Sequence, residues 1–596
     1  MADDLWVRVN RDMAAGNTQA AIATVRLHLK LRPNDCEALN LLGTLLQAAG
    51  EHEQSLHHLA RLVSAAPGVM AYRNTLANGL FSAGRIAEAI TQWELISQME
   101  PSYMLAWLSL AVAYVQVDDT TKAIEAGRRA HALEPTAPGT SANLAFALAR
   151  AGQLDEAVGI TQAGVAANPG ELKLHSSLLM LMNYLPIEPG ELAKAHNNFG
   201  LMVERVAGRS SMDGGTLRDT AAKKPDPARP IRIGILSSDL RDHSVGFFVE
   251  PLLLHDASVA AIEVFSTATP SNTDAMTARI RTAVQAWHAC AAMSDGAIAK
   301  LIRERNIDVL LELGGHSEGN RLGVVARKPA PLIVNAIGYP HSTGMSAMDW
   351  RLVDSITDPV GSEALNSERL LRLDPCFLCY TPPSDAPEPA MPSDGSPITF
   401  GSFNNAAKIG SQTVEMWAAL LKHVPESRLL LKSQTLSDSA GRNWIIEQFR
   451  KAGIEASRLE LVAYSKSKEE HLRLYQRVHV ALDTVPYNGT TTTCEAMWMG
   501  VPVVCVRGHR HASRVSASLV SAVGHAEWIA KDAQAFVTIA ANHQLDAERI
   551  QGCVVDFETR NAGTVLNRYR PDLLARMLSA RSLLFRQTRR QGRSFR

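Results

Sequence analysis

No charge of either sign prevails in this sequence: sixty lysines and arginines stand against sixty aspartates and glutamates. No global field draws the chain to nucleic acid or to an anionic membrane, and neither is expected as a partner. The one local exception is the end of the chain, where Arg586, Arg589, Arg590, Arg593 and Arg596 cluster; residues 586–596 read as a solvated basic tail. The opening stretch MADDLWVRVN lacks a basic segment followed by an apolar run, so no secretory signal is expected. Runs of about 18 apolar residues without charge are also missing, which excludes a spanning helix on the sequence. Seven cysteines over 596 residues do not make a disulfide framework. Cys376 and Cys379 form a C-x-x-C, but no second pair or nearby histidine completes a zinc site, and the apolar string LDPCFLCY reads as core. A reduced, cytoplasmic protein without a metal follows from these absences. At this length it holds several domains, because single cores rarely grow past about 250–300 residues.

What the sequence does have, in its first third, is a ruler. Pro33, Pro67, Pro101, Pro135 and Pro169 stand 34 residues apart. The same interval links Leu42, Leu76, Leu110 and Leu144, each followed by Gly43, Ala77, Ala111 or Ala145. Gly16, Gly50, Gly84 and Gly152 share it, with Asp118 in the remaining slot, and so do Ala21, Ser55, Ala89, Ala123 and Ala157. Small residues let two helices approach closely, glycine or aspartate suits the turn between them, and proline is expected to begin the next helix. This is the tetratricopeptide pattern, whose concave face takes extended peptide. Asn40 and Asn74 hold equivalent positions that could bond a peptide backbone, a short ladder because Leu108 and Ala142 follow. Residues 172–206 continue helical and are expected to cap the solenoid, giving a first domain of 1–207. The segment 208–230, rich in Gly, Ser, Asp, Lys and Pro, reads as a linker.

From Ile231 the pattern changes to short β-branched runs separated by helical stretches. IRIGILSS, IEVFST, IDVLLELGG, LIVNAIG and WRLVDSI form one series over 231–380. A second linker, TPPSDAPEPAMPSDGSP (381–397), precedes ITFGSF, SRLLLKS, RLELVAY, VHVALDTV and VPVVCVRG in a second series over 398–585. Such alternation predicts two parallel sheets with covering helices, and sheets of this kind bind ligands at the carboxyl ends of their strands. G-x-G-x-x-G follows neither first strand, against a dinucleotide oxidoreductase. The expected strand ends carry Asp239, Asp242 and His243, then Asn404, Asn405 and Lys408, then the run YNGTTTTCEAMWMG. A lysine, a hydroxyl-rich helix start and Glu495 one turn inside suit a nucleoside phosphate.

These stretches carry a family likeness. SSDLRDHSVGFF, DVLLELGGHSEGNRL, RKPAPLIVNAIGYPHSTG, MDWRLVDSITDP, FNNAAKIG, KEEH and NGTTTTCEAMWMGVPVV followed by ASRVSASL resemble the tetratricopeptide-repeat O-GlcNAc transferase / SPINDLY family of protein glycosyltransferases. The resemblance spans nearly the whole chain. It implies an α-solenoid followed by an α/β GT-B domain of two Rossmann-like lobes, and inverting, metal-free transfer from a nucleotide sugar, a co-substrate, to a protein serine or threonine.

By resemblance, Lys408 is the cation at the leaving diphosphate and His243 matches a histidine once assigned as general base. Asn405, Lys468, His471, Thr491, Thr492 and Glu495 fall at the nucleotide, and Gly338 and Pro340 beside the sugar. Thr490 stands where animal members have histidine, Glu495 replaces an aspartate, Leu474 falls in place of an arginine, and the domain that animal enzymes insert between the lobes is missing. In length and layout the chain also resembles bacterial proteins that glycosylate flagellin with nonulosonic acids carried on CMP. The expected donors are therefore UDP-GlcNAc or a CMP-nonulosonic acid, with flagellin the leading acceptor. The alternative reading is an inactive repeat scaffold that keeps the transferase fold.

Overall fold

The computed structural model describes residues 2–15, 17–208, 230–253, 260–269, 272–383, 385–390, 392, 396–463, 465 and 467–542. Most of the first linker, the end of the second lobe and the basic tail thus lie outside the described residues. The chain divides into two compact units, one carried by the helices up to Asn168 and one by the chain from Pro169 onward.

The first unit is built of helical pairs: α1 (Ala2–Ala14) with α2 (Thr18–Leu31), α3 (Cys36–Ala48) with α4 (His52–Ala65), α5 (Met70–Ser82) with α6 (Ile86–Met99), α7 (Met104–Gln116) with α8 (Thr120–Leu133), and α9 (Pro138–Arg150) with α10 (Leu154–Ala167). The small-residue registers do what their spacing predicts. A Cβ on Gly43 would sit 2.4 Å from a Leu59 methyl, and Ser55 donates its hydroxyl to the Gly43 carbonyl at 2.7 Å. Between paired helices, Gly50, Gly84 and Gly152 take φ of +79°, +77° and +80°, and Asp118 takes +59°. This left-handed residue lets the next N–H reach back, as Glu51 does to Leu46 and Asp119 to Tyr114.

The prolines differ from expectation. Pro33 and Pro135 do not begin helices; each opens the turn before one, closed by Asp35 N–H to Arg32 O and Ala137 N–H to Glu134 O. Proline's fixed φ suits the second position of such a turn, which helps end one helix without costing the next an N–H. Asn74 is also spoken for, since its side-chain oxygen accepts from the indole of Trp93 at 2.9 Å.

The second unit opens with α11 (Leu172–Met182) and α12 (Pro189–Val206). Expected as a solenoid cap, these helices are built into the body that follows. Leu179, Phe199 and Val203 share one apolar core with Phe265, Ile298 and Ile333. A Cβ on Gly200 would lie 1.8 Å from the Gly344 carbonyl, so α12 touches that loop backbone to backbone.

The N-terminal lobe runs β1 (Ile231–Ser237), α13 (Ser244–Leu253), β2 (Ala260–Ser266), α14 (Ala275–Ala283), β3 (Ala286–Ala289), α15 (Asp295–Glu304), β4 (Val309–Glu312), α16 (Leu322–Ala326), β5 (Leu332–Asn335), β6 (Trp350–Val353) and β7 (Arg369–Arg372). Its strands are all parallel in the order β3-β2-β1-β4-β5-β6-β7. The C-terminal lobe runs β8 (Thr399–Ser402), α17 (Ser411–His423), β9 (Arg428–Lys432), α18 (Ser439–Lys451), β10 (Leu459–Val462), α19 (Lys468–Arg473), β11 (Val480–Leu482), α20 (Thr491–Trp498), β12 (Val503–Val506), α21 (Val515–Ala522), β13 (Ile529–Ala530) and α22 (Ala533–Asn542). It repeats the scheme as β10-β9-β8-β11-β12-β13, again all parallel. Strands buried on both faces, such as β4 and β5, explain the continuous apolar runs. Strand order reverses between β1 and β4 and between β8 and β11, and crevices for ligands open at those points.

Candidate active site

The C-terminal switch point gathers the residues that the sequence placed at separate strand ends. After β8 the chain turns through Asn404 and Asn405 into a single tight turn that ends at Lys408. Its Nζ donates to the Asn488 carbonyl at 2.7 Å and lies 4.1 Å from the centre of the Tyr487 ring. Burial pushes this ammonium down to about 8, against the pull of Asp483. Asp483 itself directly follows β11, is 2% exposed, and accepts the Gly489 N–H at 2.6 Å. Burial raises its carboxyl to about 6, although Gly489, Ser516, Thr484 and Lys408 all pull it down.

The threonine run divides its work. Thr490 precedes α20 without a side-chain capping bond, so the first N–H groups of that helix are not spent on it. Thr491 keeps a buried hydroxyl with no partner. Thr492 donates to Asn404 at 3.0 Å, and Thr493 shares a hydrogen bond with Ser516 at 2.9 Å. Unspent N–H groups at the positive end of a helix, an idle hydroxyl and an adjacent ammonium make a site for a phosphate.

Glu495 sits one turn inside α20 at 2% exposure. Its oxygens meet His471 Nε2 at 2.9 Å and Lys468 Nζ at 3.4 Å. Lys432 Nζ reaches His471 Nδ1 at 2.7 Å. An ammonium only donates, so Nδ1 accepts and the ring proton resides on Nε2, facing Glu495. Burial works to raise the Glu495 carboxyl, yet His471, Lys468 and Lys432 together hold it below its ordinary value. Lys468 also leans over the Phe247 ring at 4.8 Å, tying α19 to the first lobe.

In that first lobe His243 stands just ahead of α13. Its Nδ1 accepts the Val245 N–H at 3.3 Å, which leaves the proton on Nε2. Burial depresses the imidazolium further, helped by Arg241 and opposed by Asp239 and Asp242. A neutral ring with Nε2 protonated offers substrate a donor rather than a lone pair. The loop after β5 carries Gly338 and Pro340. A Cβ on Gly338 would meet the Leu313 carbonyl at 1.7 Å, and Ile337 beside it is held at φ +66°. A β-branched residue in the left-handed region is strained and persists only where surrounding structure imposes it.

The structure thus brings Lys408, Thr491 and Thr492 together at one switch point. Lys468, His471 and Glu495 join in an adjoining charge network. Asn405 is exposed, its side chain capping the turn through Ala407 N–H at 3.0 Å. Sequence reading missed Asp483, Tyr487, Asn488 and Lys432. An acid in the first position after a buried strand was the available signal for Asp483. Among the described residues no group of three or more His, Cys, Asp or Glu side chains is placed to hold a metal ion. Nor is any helix among them long and apolar enough to cross a membrane.

The family model for glycosyl transferase family 41 matches residues 193–380 and 389–567. The chain belongs to that family. The match begins inside α12, in keeping with that helix being part of the catalytic body. Among relatives, the chain is 36% identical over 410 residues to a probable UDP-N-acetylglucosamine–peptide N-acetylglucosaminyltransferase SPINDLY of Arabidopsis thaliana, covering 67% of this chain and 43% of that protein. To the SEC protein of the same plant it is 28% identical over 316 residues, 51% of this chain and 32% of that one. The chain spans less than half the length of the curated relatives it matches. An O-GlcNAc transferase mutant of Thermobaculum terrenum superposes with a TM-score of 0.79 at 27% identity, covering 88% of this chain and 98% of that one. Repeats followed by two Rossmann-like GT-B lobes, the fold expected from the family 41 likeness, is the fold found.

Proposed function

We propose that this chain is a protein O-glycosyltransferase that moves a sugar from a nucleotide-sugar donor to serine or threonine of a protein selected by the repeats. The observation that carries this reading is the C-terminal switch point, where Lys408 meets the unspent start of α20 and the idle Thr491 hydroxyl. In an inverting transfer the acceptor oxygen attacks the anomeric carbon as the bond to the phosphate oxygen breaks. The nucleotide leaves with the electron pair and the hydroxyl loses its proton. Negative charge therefore grows on the phosphate, and a fixed ammonium with helix N–H groups stabilises the transition state more than the ground state. His243 enters as a hydrogen-bond donor to substrate. Lys468 and His471, braced by Glu495, hold the nucleoside end.

The donor is UDP-GlcNAc or a CMP-nonulosonic acid, and flagellin, met in the cytoplasm before export, is the acceptor to try first. Calorimetry of the whole chain with UDP-, GDP- and CMP-sugars tests the donor half of this reading. Failure of every nucleotide to bind would return the chain to the status of a repeat scaffold.

A further inference from the structure

Arg510, in the loop after β12, is 6% exposed and makes no ion pair among the described residues. Its Nη2 donates to the carbonyls of Asn183 at 3.3 Å and Leu185 at 2.9 Å, in the turn that follows α11. Its Nη1 is buried without a partner. The titratable groups closest to it carry no compensating charge. Tyr339 is a phenol driven far from ionisation by burial, and His341 and His196 are both pushed down by burial and so neutral. The neighbouring cation Arg351 has its own partner, Asp358, at 3.5 Å, and His511 takes the other oxygen of that aspartate at 2.5 Å. The side-chain oxygen of Asn183, whose Nδ2 donates to the Tyr339 hydroxyl at 2.8 Å, is a second buried polar atom left unpaired.

An isolated guanidinium is costly to bury, and two backbone carbonyls use only part of its five-donor fork. Capping the turn after α11 accounts for Nη2 and leaves Nη1 unexplained. The position matters as well. Tyr184, between the two residues that Arg510 holds, stacks on Tyr487 at 5.1 Å, and Lys408 lies over that same ring. The cation placed at the leaving phosphate and the idle cation Arg510 therefore flank one aromatic pair.

We propose that Arg510 anchors an anion subsite that receives a carboxylate carried by the transferred sugar, so that the donor is an acidic nucleotide sugar. This rests on the donor-site reading of the C-terminal switch point. A carboxylate there accepts from Nη1, and the unpaired Asn183 oxygen is free for a neighbouring sugar hydroxyl. Guanidinium suits this task better than ammonium, because its planar fork fixes carboxylate orientation.

Calorimetry on the full chain decides it, with matched probes: UDP-glucuronate against UDP-glucose, CMP-N-acetylneuraminate against CMP, and UDP alone. Wild type is expected to bind at least one carboxylated sugar nucleotide roughly 10-fold or more tighter than its uncharged or sugar-free counterpart, as charge-assisted recognition implies. R510Q is expected to lose that preference while binding the bare nucleotide as wild type does, and R510K to recover part of it. Wild type binding nucleotides without any preference for a carboxylate overturns the subsite and leaves the donor site standing, even if R510Q fails to fold. No binding of any nucleotide overturns both. A folded R510Q with unchanged donor affinity but a raised KM for the acceptor protein assigns the carboxylate to the acceptor and overturns the sugar assignment.

Discussion

Lys408 spends its ammonium on the Asn488 carbonyl, 2.7 Å away, in a loop where no carboxylate forms an ion pair with it among the described residues. A bound phosphate offers that ammonium a better partner. Replacement by alanine is expected to leave the fold intact and to lower turnover by roughly 10²-fold or more, the scale of a lost electrostatic donor. Burial holds this lysine at about 8, below its unfolded value. The folded state then favours the neutral amine, so the ammonium costs stability at pH 7 and that cost fades as pH rises through 8. Lys408→Met should accordingly melt no lower than wild type. The kcat/KM profile, which reports the free enzyme, should fall on the alkaline side near 8. A flat profile to pH 9.5 or more, read by initial rates, would remove the ammonium from the chemistry.

Asp483 titrates the opposite way. Its carboxyl is raised to about 6, so its share of stability is complete below its unfolded value and is lost as pH rises through 6. The charged form at pH 7 is tolerated because it holds Gly489 N–H and faces Lys408. Asp483→Asn should keep or raise the melting temperature at pH 7 and flatten its slope between about pH 4 and 6. It should also weaken nucleotide binding, because the loop leading to the threonines loses its anchor. Thermal melts across pH, paired with calorimetry, check both halves.

The tight contact of Gly200 with Gly344 makes α12 a test of the domain boundary. A Cβ placed 1.8 Å from a backbone oxygen cannot be absorbed by rotating a side chain. Gly200→Ala should destabilise the catalytic body by about 3 kcal/mol or more, in the range of severe overpacking. A fragment from residue 169 should fold and bind nucleotide, whereas one from residue 231 should not. Circular dichroism melts of the two fragments decide this, and a cooperative transition in the shorter one would restore the boundary at 207.

His243 gives a fourth expectation. With Nδ1 engaged by Val245 N–H, the ring supplies a donor and is not the proton acceptor. His243→Ala should lower kcat/KM yet leave any acidic limb of its pH profile in place. Disappearance of that limb would make His243 the base.

Much of this was legible in the sequence. Periods of 34 residues fix which small side chains face each other, and buried parallel strands announce themselves as apolar runs. The strands that escaped, β3 (AWHA), β7 (RLLR) and the two-residue β13, lie away from the sheet centres and have no such run. Composition could not say where α11 and α12 belong, because their apolar faces would suit a repeat as well as a lobe. Lys408 and the threonines stood out because strand ends and helix starts are local features. Arg510 and Asp483 did not, since what marks them is the company they keep across hundreds of residues of chain. The prolines were misplaced by three residues for a related reason: proline suits both a helix start and the turn before it, and only the backbone tells them apart.

The central claim is that the switch point of the C-terminal lobe transfers sugar to protein under the charge of Lys408. Intact-mass spectrometry of purified flagellin, incubated with the full chain and each candidate donor, tests it most directly. The account predicts that one donor raises the acceptor mass by whole sugar increments with wild type, and that Lys408→Ala, folded and nucleotide-binding, gives almost none. Equal increments from the Lys408→Ala protein would contradict it.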